Sequence, residues 1–385
     1  MITKNIPQIR FKKFEEAWEK KIFEDICTFG NGYTPSKAID EYWENGTLPW
    51  YRMEDIRENG RILKDSIQHI TPKAVKGKLF PANCIIMSTT ATIGEHALLI
   101  ADSLANQQFT FFIKNVNRYN YDDLFFFYKC YSIGEWCKKN ANAGGLLAVN
   151  MPELKKLGLS FPTSISEQTR IASLFTAIDK QISTSEAKLE KLRTIKKTLL
   201  KKMFAASGEN IPQIRFKGFD GAWEEKKLGE IDTINSGCDY KHLNYGQIPV
   251  FGTGGYMTSV DKALSYNQDA IGIGRKGTID KPFILKSPFW TVDTLFYVFP
   301  NKGTNLNFLY NLYCIIDWKN KNEASGVPSL SKVIINNVIV KTTSFQEQTR
   351  IASLFTSLDK QISLQEQKIE KLKAIKKTLL KKMFV

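Results

Sequence analysis

Histidine is the scarcest chemistry-bearing residue in the chain. Only His69, His96 and His242 occur in 385 residues, too scattered for a catalytic triad or a metal site. His96 and His242 read as loop residues. The six cysteines (Cys27, Cys84, Cys130, Cys137, Cys238, Cys314) form no CxxC pair and lie near no histidine cluster. That excludes a zinc site and leaves buried free thiols in a reducing compartment as the expectation. No apolar run reaches the roughly 18 residues of a membrane span, and Met1-Ile-Thr-Lys-Asn-Ile-Pro7 has no apolar leader region. The chain therefore reads as soluble and cytoplasmic.

Catalytic signatures fail in turn. There is no GxxxxGK[ST] loop and no DPPY- or NPPY-like tetrapeptide of an amino-methyltransferase. Gly272-Ile-Gly-Arg-Lys-Gly277 spells GxGxxG, but that fingerprint needs a following helix, and Pro282 ends any helix after four residues. Asp179 with Glu186-Ala-Lys188 imitates a nuclease D…ExK, yet it lies on a heptad helix with the carboxylates seven residues apart on a polar surface. No catalytic residue, metal ligand or bound cofactor emerges.

Acidic residues are also short, 39 against 54 Lys+Arg, for a net charge of +15. Such an excess calls for an anionic partner, nucleic acid ahead of a membrane surface. The length asks for two or more domains.

The chain is written twice. Asn5-Ile-Pro-Gln-Ile-Arg-Phe-Lys12 recurs unchanged at 210–217, and Phe14, Ala17, Trp18 and Glu19 recur as Phe219, Ala222, Trp223 and Glu224. EQTRIASLFT at 167–176 recurs at 347–356, DKQIS at 179–183 recurs at 359–363, and IKKTLLKKMF at 195–204 recurs at 375–384. Between these ends, residues 27–160 and 232–340 share no evident sequence. One framework with two different jobs follows. Two periods are too few for a solenoid.

Residues 166–204 read as one helix capped by Ser166, with Glu167 in its first turn. Its heptad places Phe175, Ile182, Leu189 and Met203 at a, with Ile178, Leu192 and Leu199 at d. The second copy gives Phe355, Ile362, Ile369, Met383 and Leu358, Leu372, Leu379. Ser185 and Gln365 at d, with Lys196 and Lys376 at a, break the seam at matching places, which costs stability but fixes register. The simplest architecture pairs the two helices as an antiparallel coiled coil; the alternative is that each covers only its own domain. Residues 186–204 and 366–385 each carry seven Lys/Arg against two Glu, a net +5 apiece, suited to acidic partner subunits or phosphates.

The expected organisation is a pseudo-two-fold repeat of two α/β (α+β) domains, residues 1–163 and 206–342, with helices over 164–205 and 343–385. Strand-like runs are Cys84–Ser88, Gln108–Ile113, Ala270–Gly274, Thr294–Phe299 and Val333–Val340; helical stretches lie near 122–139 and 305–319. Loops hold groups that read base edges: Thr89, Thr90, Thr92, Asn106, Gln107 and Gln108 in the first domain, and Arg275, Lys276, Thr278 and Thr291 to Thr294 in the second.

At this point the residues resemble a known family, the specificity subunits of type I restriction–modification enzymes, along nearly the whole chain. The resemblance rests on Phe216-Lys-Gly-Phe-Asp-Gly-Ala-Trp-Glu-Glu-Lys-Lys-Leu-Gly-Glu-Ile231 at a domain start, and on Gly32-Tyr-Thr-Pro-Ser36, Leu48-Pro-Trp-Tyr-Arg52 and Ala105-Asn-Gln-Gln108 in the first domain. In the second it rests on Ile248-Pro-Val-Phe-Gly-Thr-Gly-Gly255, Ile273-Gly-Arg-Lys-Gly277 and Phe289-Trp-Thr-Val-Asp-Thr-Leu-Phe296; Glu-Gln-Thr-Arg-Ile starts each helix. It implies two target-recognition domains, each reading half of a bipartite site in double-stranded DNA. It adds Tyr33, Thr34, Ser36 and Arg52, and Tyr240, Gly254 and Asp293, to the candidate contacts. It also implies two methyltransferase subunits docked on the helices and using S-adenosylmethionine, and motor-nuclease subunits using ATP and Mg2+. Two other classes stand beside it: a self-contained methyltransferase or nuclease, and a coiled-coil scaffold without sequence preference.

Overall fold

The repeated text at the module ends folds into a box of aromatic rings, once in each half of the protein. The structure, a computed structural model, describes residues 5–142, 147–206, 208–322 and 324–385, so residues 1–4 of the amino-terminal heptapeptide lie outside it. Two units are formed: Met1–Thr184 with Ile369–Val385, and Ser185–Lys368.

In the first unit the chain runs β1 (Glu19–Ile22), α1 (Phe23–Ile26), β2 (Cys27–Asn31), β3 (Leu48–Tyr51), α2 (Met53–Asn59), β4 (Ile62–Leu63), β5 (His69–Ile70), β6 (Cys84–Ser88) and β7 (His96–Leu99). It continues through β8 (Leu104–Ala105), β9 (Phe109–Lys114), α3 (Asp123–Lys139), β10 (Ala141–Asn142), β11 (Ala148–Val149), α4 (Met151–Lys155) and β12 (Gly158–Phe161) into the long helix α5 (Ile165–Met203). A five-stranded sheet, β2-β9-β6-β7-β4, carries α3 on one face, and a three-stranded sheet, β5-β3-β8, stands beside it. β1 pairs antiparallel with β12, Glu19 opposite Phe161, and so closes the module just before α5.

The second unit follows the same plan. Its elements are β13 (Glu224–Lys227), α6 (Leu228–Ile231), β14 (Asp232–Ser236), β15 (Tyr245–Gly252), β16 (Gly255–Val260), β17 (Ala270–Gly274), β18 (Phe283–Leu285), β19 (Trp290–Thr291) and β20 (Leu295–Pro300). After them come α7 (Leu306–Ile315), α8 (Lys332–Asn337), β21 (Ile339–Thr342) and α9 (Phe345–Met383). The sheets are β14-β20-β17-β18, β16-β15-β19 and β13-β21. Dissimilar middles thus fold to one topology, because a buried strand demands apolar bulk rather than particular side chains.

The box explains the repeat. In the first unit Trp18 and Phe384 meet Phe125, with centroids 5.9 and 5.3 Å away, and Phe175 lies 5.8 Å from Phe384. In the second, Trp223 and Phe204 meet Phe308 at 5.8 and 5.3 Å, and Phe204 lies 6.1 Å from Phe355. Each such pair adds about 0.5–1.5 kcal/mol beyond its buried area. The start of one long helix and the end of the other are therefore core elements of each unit. Ile9 N donates to Lys382 O at 3.1 Å and Ile214 N to Lys202 O at 2.9 Å, so the repeated NIPQIRF segment caps a helix C-terminus. Its arginine then reaches a helix start: Arg10 makes two bonds to Glu167 at 2.7 and 2.8 Å, and Arg215 makes two to Glu347 at 2.7 and 2.8 Å.

The helix halves pair antiparallel within each unit. Phe175, Ile178, Leu189, Leu192, Met203, Phe355, Leu358, Ile369 and Met383 are buried; Ile182, Leu199, Ile362, Leu372 and Leu379 are half-buried. The polar seam positions are matched rather than orphaned. Gln365 Nε2 donates to Ser185 O at 3.1 Å.

Several sequence expectations need correction. α5 begins at Ile165, so Ser166 is inside the helix and the Ser164 carbonyl takes the first bonds, from Glu167 N and Gln168 N. Val333–Val340 is not one strand: the Ser331 hydroxyl accepts from Ile334 N and starts α8, and only the end is β21. His96 is no loop residue. It lies in β7, 1% exposed, and burial, with Arg61 nearby, pushes its imidazole down to about 3. His242 does sit between strands. Asp179 is not on an open polar surface, since it accepts from the Tyr128 hydroxyl at 2.9 Å and pairs with Lys376 at 2.6 Å. Of the thiols, Cys238 is exposed and Cys314 only part-buried.

Candidate nucleic-acid interface

Three loops converge where the two sheets of the first unit meet. After β2 the chain turns at Gly32, whose N donates to Phe109 O at 2.9 Å, while Tyr33 N donates to Ala105 O at 2.8 Å. After β6, Thr89 N donates to Gln108 O at 3.0 Å. Between β8 and β9, Asn106 N donates to Tyr51 O at 3.0 Å and Phe109 N to Asn106 O at 3.1 Å, which folds Asn106-Gln107-Gln108 into a turn. A Cβ on Gly32 would stand 2.1 Å from Asn106 O, so only glycine fits there.

The second unit repeats these bonds with other residues. Gly237 N donates to Leu295 O, Cys238 N to Thr291 O, Arg275 N to Thr294 O, Val292 N to Phe251 O and Leu295 N to Val292 O, all between 2.8 and 3.1 Å. A Cβ on Gly237 would stand 2.1 Å from Val292 O. Thr89-Thr90 thus occupies the place of Arg275-Lys276, and Asn106-Gln107-Gln108 that of Val292-Asp293-Thr294. Both loops take a further strand-like bridge, Thr90 with Ala148 and Lys276 with Ser329. Even the indole contact is kept while its owner changes strand. Trp50 of β3 donates to Tyr33 O at 3.0 Å, whereas Trp290 of β19 donates to Cys238 O at 2.9 Å. β3 and β8 pair parallel, Trp50 opposite Leu104, as β15 and β19 do, Val250 opposite Trp290.

The candidate residues divide by exposure. Ser36, Gln107, Gly254, Arg275, Lys276 and Asp293 are exposed; Thr34, Arg52, Thr90, Thr92, Asn106, Gln108, Thr278 and Thr294 are half-exposed. Thr34 Oγ1 donates to Gln107 Oε1 at 2.5 Å, and Asn106 Oδ1 accepts from Gln108 N at 3.1 Å, so the polar turn is held in shape. Thr89 and Thr291 do not reach this surface. Thr89 is 7% exposed, with its hydroxyl on Thr110, and Thr291 is wholly buried in β19. Tyr33 spends its hydroxyl on Ala74 O and Lys76 N, and Tyr240 packs against the small core of Val250 and Trp290, so both are half-buried packing residues.

The two surfaces differ in charge. Arg275 and Lys332 lie 5.9 and 6.0 Å from the Phe296 ring and, with Lys276, border a cleft of about 700 Å³. In the first unit Arg57, Arg61 and Lys138 border a cleft of about 540 Å³ beside Thr92, and Arg61 pairs with Glu95. Arg52, just before α2, pairs with Glu54 at 2.9 Å, and the buried Asp55 carboxylate accepts from Arg52 N and Ile67 N, each at 2.6 Å. Tyr51 beneath is driven above the ordinary phenol range by burial, with Asp65 and Asp55 adding to it. Among the described residues no group of His, Cys, Asp and Glu could hold a metal ion, and no helix is long and apolar enough to cross a membrane. What converges is an array of donors and acceptors for hydrogen bonds, edged by cations. Sequence reasoning missed Gly237 and the turn equivalence, though the glycine itself was a visible signal.

A fold with two units of one topology, each presenting differently charged loops at the same place, defines a tandem recognition protein. The profile of the type I restriction modification DNA specificity domain matches residues 15–194 and 221–374, and the chain belongs to that family. It is 33% identical over 349 residues to the type I restriction enzyme EcoprrI specificity subunit of Escherichia coli, covering 87% of this chain and 86% of that one. The fold is similar to that of the crystallised S subunit of a type I restriction-modification system from M. genitalium, with TM-score 0.68, 18% identity and 99% of each chain covered. It is also similar to a chain from a study of complex assembly and conformational transition of the type I R-M system, with TM-score 0.58, 14% identity and 97% and 99% covered. The protein is a DNA specificity subunit, with a recognition role.

Proposed function

We propose that each unit reads one half of a bipartite site in duplex DNA, the first through Thr90, Thr92 and Asn106 to Gln108, the second through Arg275 to Thr278 and through Asp293 and Thr294. The observation that carries this reading is the backbone equivalence of these loops beneath wholly different side chains. One scaffold presenting two hydrogen-bonding alphabets is what two unlike half-sites require. Asn and Gln suit adenine, Arg suits guanine, and an Asp carboxylate accepts from cytosine. Cations at the rim add phosphate contacts that position the duplex without reading it.

On this reading the chain contributes no catalytic group. Two methyltransferase subunits dock on the paired basic helices and supply S-adenosylmethionine chemistry, and motor-nuclease subunits bring ATP and Mg2+. The helices hold the spacer between half-sites, and the complex works in the cytoplasm. In support, residues 186–204 and 366–385 concentrate positive charge on helices whose seam residues Leu189, Leu192, Met203, Ile369 and Met383 are buried.

The test is the methylated motif of a host expressing this chain with methyltransferase subunits. Asn106→Ala with Gln107→Ala relaxes one half of the motif, and Arg275→Ala relaxes the other. Both variants altering the same half, or neither altering any, contradicts the assignment.

A further inference from the structure

The second unit carries an apolar feature beside its reading loops that hydrogen-bond readout does not use. β15 and β16 form a hairpin whose tip, Thr253-Gly254, follows the pair Gly252–Gly255. Gly255 has φ +105°, a conformation that side-chain-bearing residues rarely adopt. Phe251 opposes Tyr256 and Val250 opposes Thr258, so Met257 is the extra residue of a β-bulge. Bulges re-aim side chains. Here the bulge leaves Met257 52% and Tyr256 63% exposed, side by side on a strand whose other residues are better covered.

The hairpin tip is seated on both reading loops. A Cβ on Gly252 would lie 2.7 Å from Met257 Sδ and 3.5 Å from Val292 Cγ2, so Met257 lies across a glycine and against the turn Val292–Leu295. A Cβ on Gly277 would lie 3.5 Å from Thr253 Oγ1, which puts the tip against the Arg275–Thr278 loop. The Tyr256 hydroxyl is 3.1 Å from Ser259 Oγ on its own strand, which leaves the ring rather than the hydroxyl as its outward feature. The first unit has nothing like this between the matching strands: β3 leads into α2, with Arg52 and Arg57, before β5.

Resting on the reading of the second unit as a half-site reader, we propose that Met257 and the Tyr256 ring are specificity-determining residues. They make an apolar contact with one base step of the second half-site and partly unstack it. Single exposed apolar residues need no explanation. Two adjacent ones, re-aimed by a bulge, with Met257 laid against the Val292–Leu295 turn and the Tyr256 ring edge-on to Phe251 of its own hairpin, suit a wedge, and methionine is among the side chains that unstack base steps. Such a contact selects flexible pyrimidine–purine steps, which cost least to open, without any hydrogen bond to them.

The experiment uses the full chain assembled with methyltransferase subunits and reads two things: the methylated motif, and the fluorescence of 2-aminopurine placed at each step of the second half-site. Met257→Ala and Tyr256→Ala are expected to leave the first half untouched and to raise methylation of sites mismatched at one second-half position by about tenfold. Wild-type binding brightens the probe at that step, and Met257→Ala does not. Met257→Leu keeps both behaviours. Should Met257→Ala unfold the unit, Met257→Gln, which keeps the length, carries the same expectation. Unchanged stringency in the hairpin variants, while Arg275→Ala still blurs the second half, overturns this inference and leaves the half-site reading standing. An unchanged second half in all of them overturns both. Intact sequence preference with lost recruitment of the methyltransferase makes the hairpin a protein contact and overturns the wedge.

Discussion

Lys196 Nζ lies 2.5 Å from Asp359 Oδ1 in the second unit, and the residues 180 positions away repeat the pair in the first, Lys376 Nζ on Asp179 Oδ1 at 2.6 Å. Each lysine sits in the heptad seam of one helix and is answered from the other, so the polar residue that costs burial also reports the correct pairing. Lys196→Ala should lower the unfolding free energy by about 1 kcal/mol, as for a part-exposed pair. Lys376→Ala should cost more, because Lys376 also touches the Tyr131 hydroxyl at 3.3 Å and lies 5.0 Å from that ring. Guanidinium unfolding of the single variants and of the swap Lys196→Asp with Asp359→Lys checks this, the swap recovering most of the loss.

Arg215 holds a heavier responsibility. Glu347 is wholly buried, and burial works to raise its carboxyl, yet the bonds from Arg215 and Thr343 outweigh that and hold it below the ordinary range. Arg215→Ala should cost about 3–5 kcal/mol by stranding the carboxylate. Arg215→Lys should recover only part of this, lacking the two-pronged geometry. With a folded pKa depressed, the pair's contribution is present above the unfolded carboxylate value and is lost as pH falls below it. An acid melt in which Arg215→Ala retains the wild-type midpoint would contradict this.

Asp232 behaves in the opposite sense. It is buried at the start of β14, with Oδ1 unpartnered and Oδ2 accepting from the Tyr313 hydroxyl at 2.7 Å; burial lifts it to about 7, against the lowering pull of that bond. A raised folded pKa gives stability that is complete below the unfolded value and declines as pH rises toward and through 7. Between pH 6 and 8.5 the second unit should lose about 1.4 kcal/mol from this group. Asp232→Asn should flatten that slope, measured by thermal melts of the full chain across the range.

Much of this was legible in the letters. The heptad gave a first helix, 166–204, that matches α5 within a residue at each end, and a second, 343–385, that overruns α9 by two at each end, because 39 residues of apolar periodicity without Pro or Gly admit no other reading. Cys84–Ser88 coincides with β6. The common topology was not legible, since Thr89 and Arg275, or Asn106 and Val292, share a backbone position and nothing chemical. Trp50 and Trp290 conceal it further by making one bond from different strands. The burial of Thr291 was hidden too, because a threonine inside a short parallel strand looks like any loop threonine. Nor does α8 announce itself: Val333-Ile-Ile suits a strand, and the cap at Ser331 tips it into a helix.

The central claim is that the units read independently, and exchanging residues 232–340 for the matching segment of a relative tests it most directly. Residues 27–160, both long helices and the aromatic boxes' repeated members stay as they are. Sequencing the methylome of a host carrying the chimera with methyltransferase subunits should return a motif with one half unchanged, the other replaced by the donor's, and the spacer kept. A methylated motif altered in both halves, or altered in neither, would contradict the account.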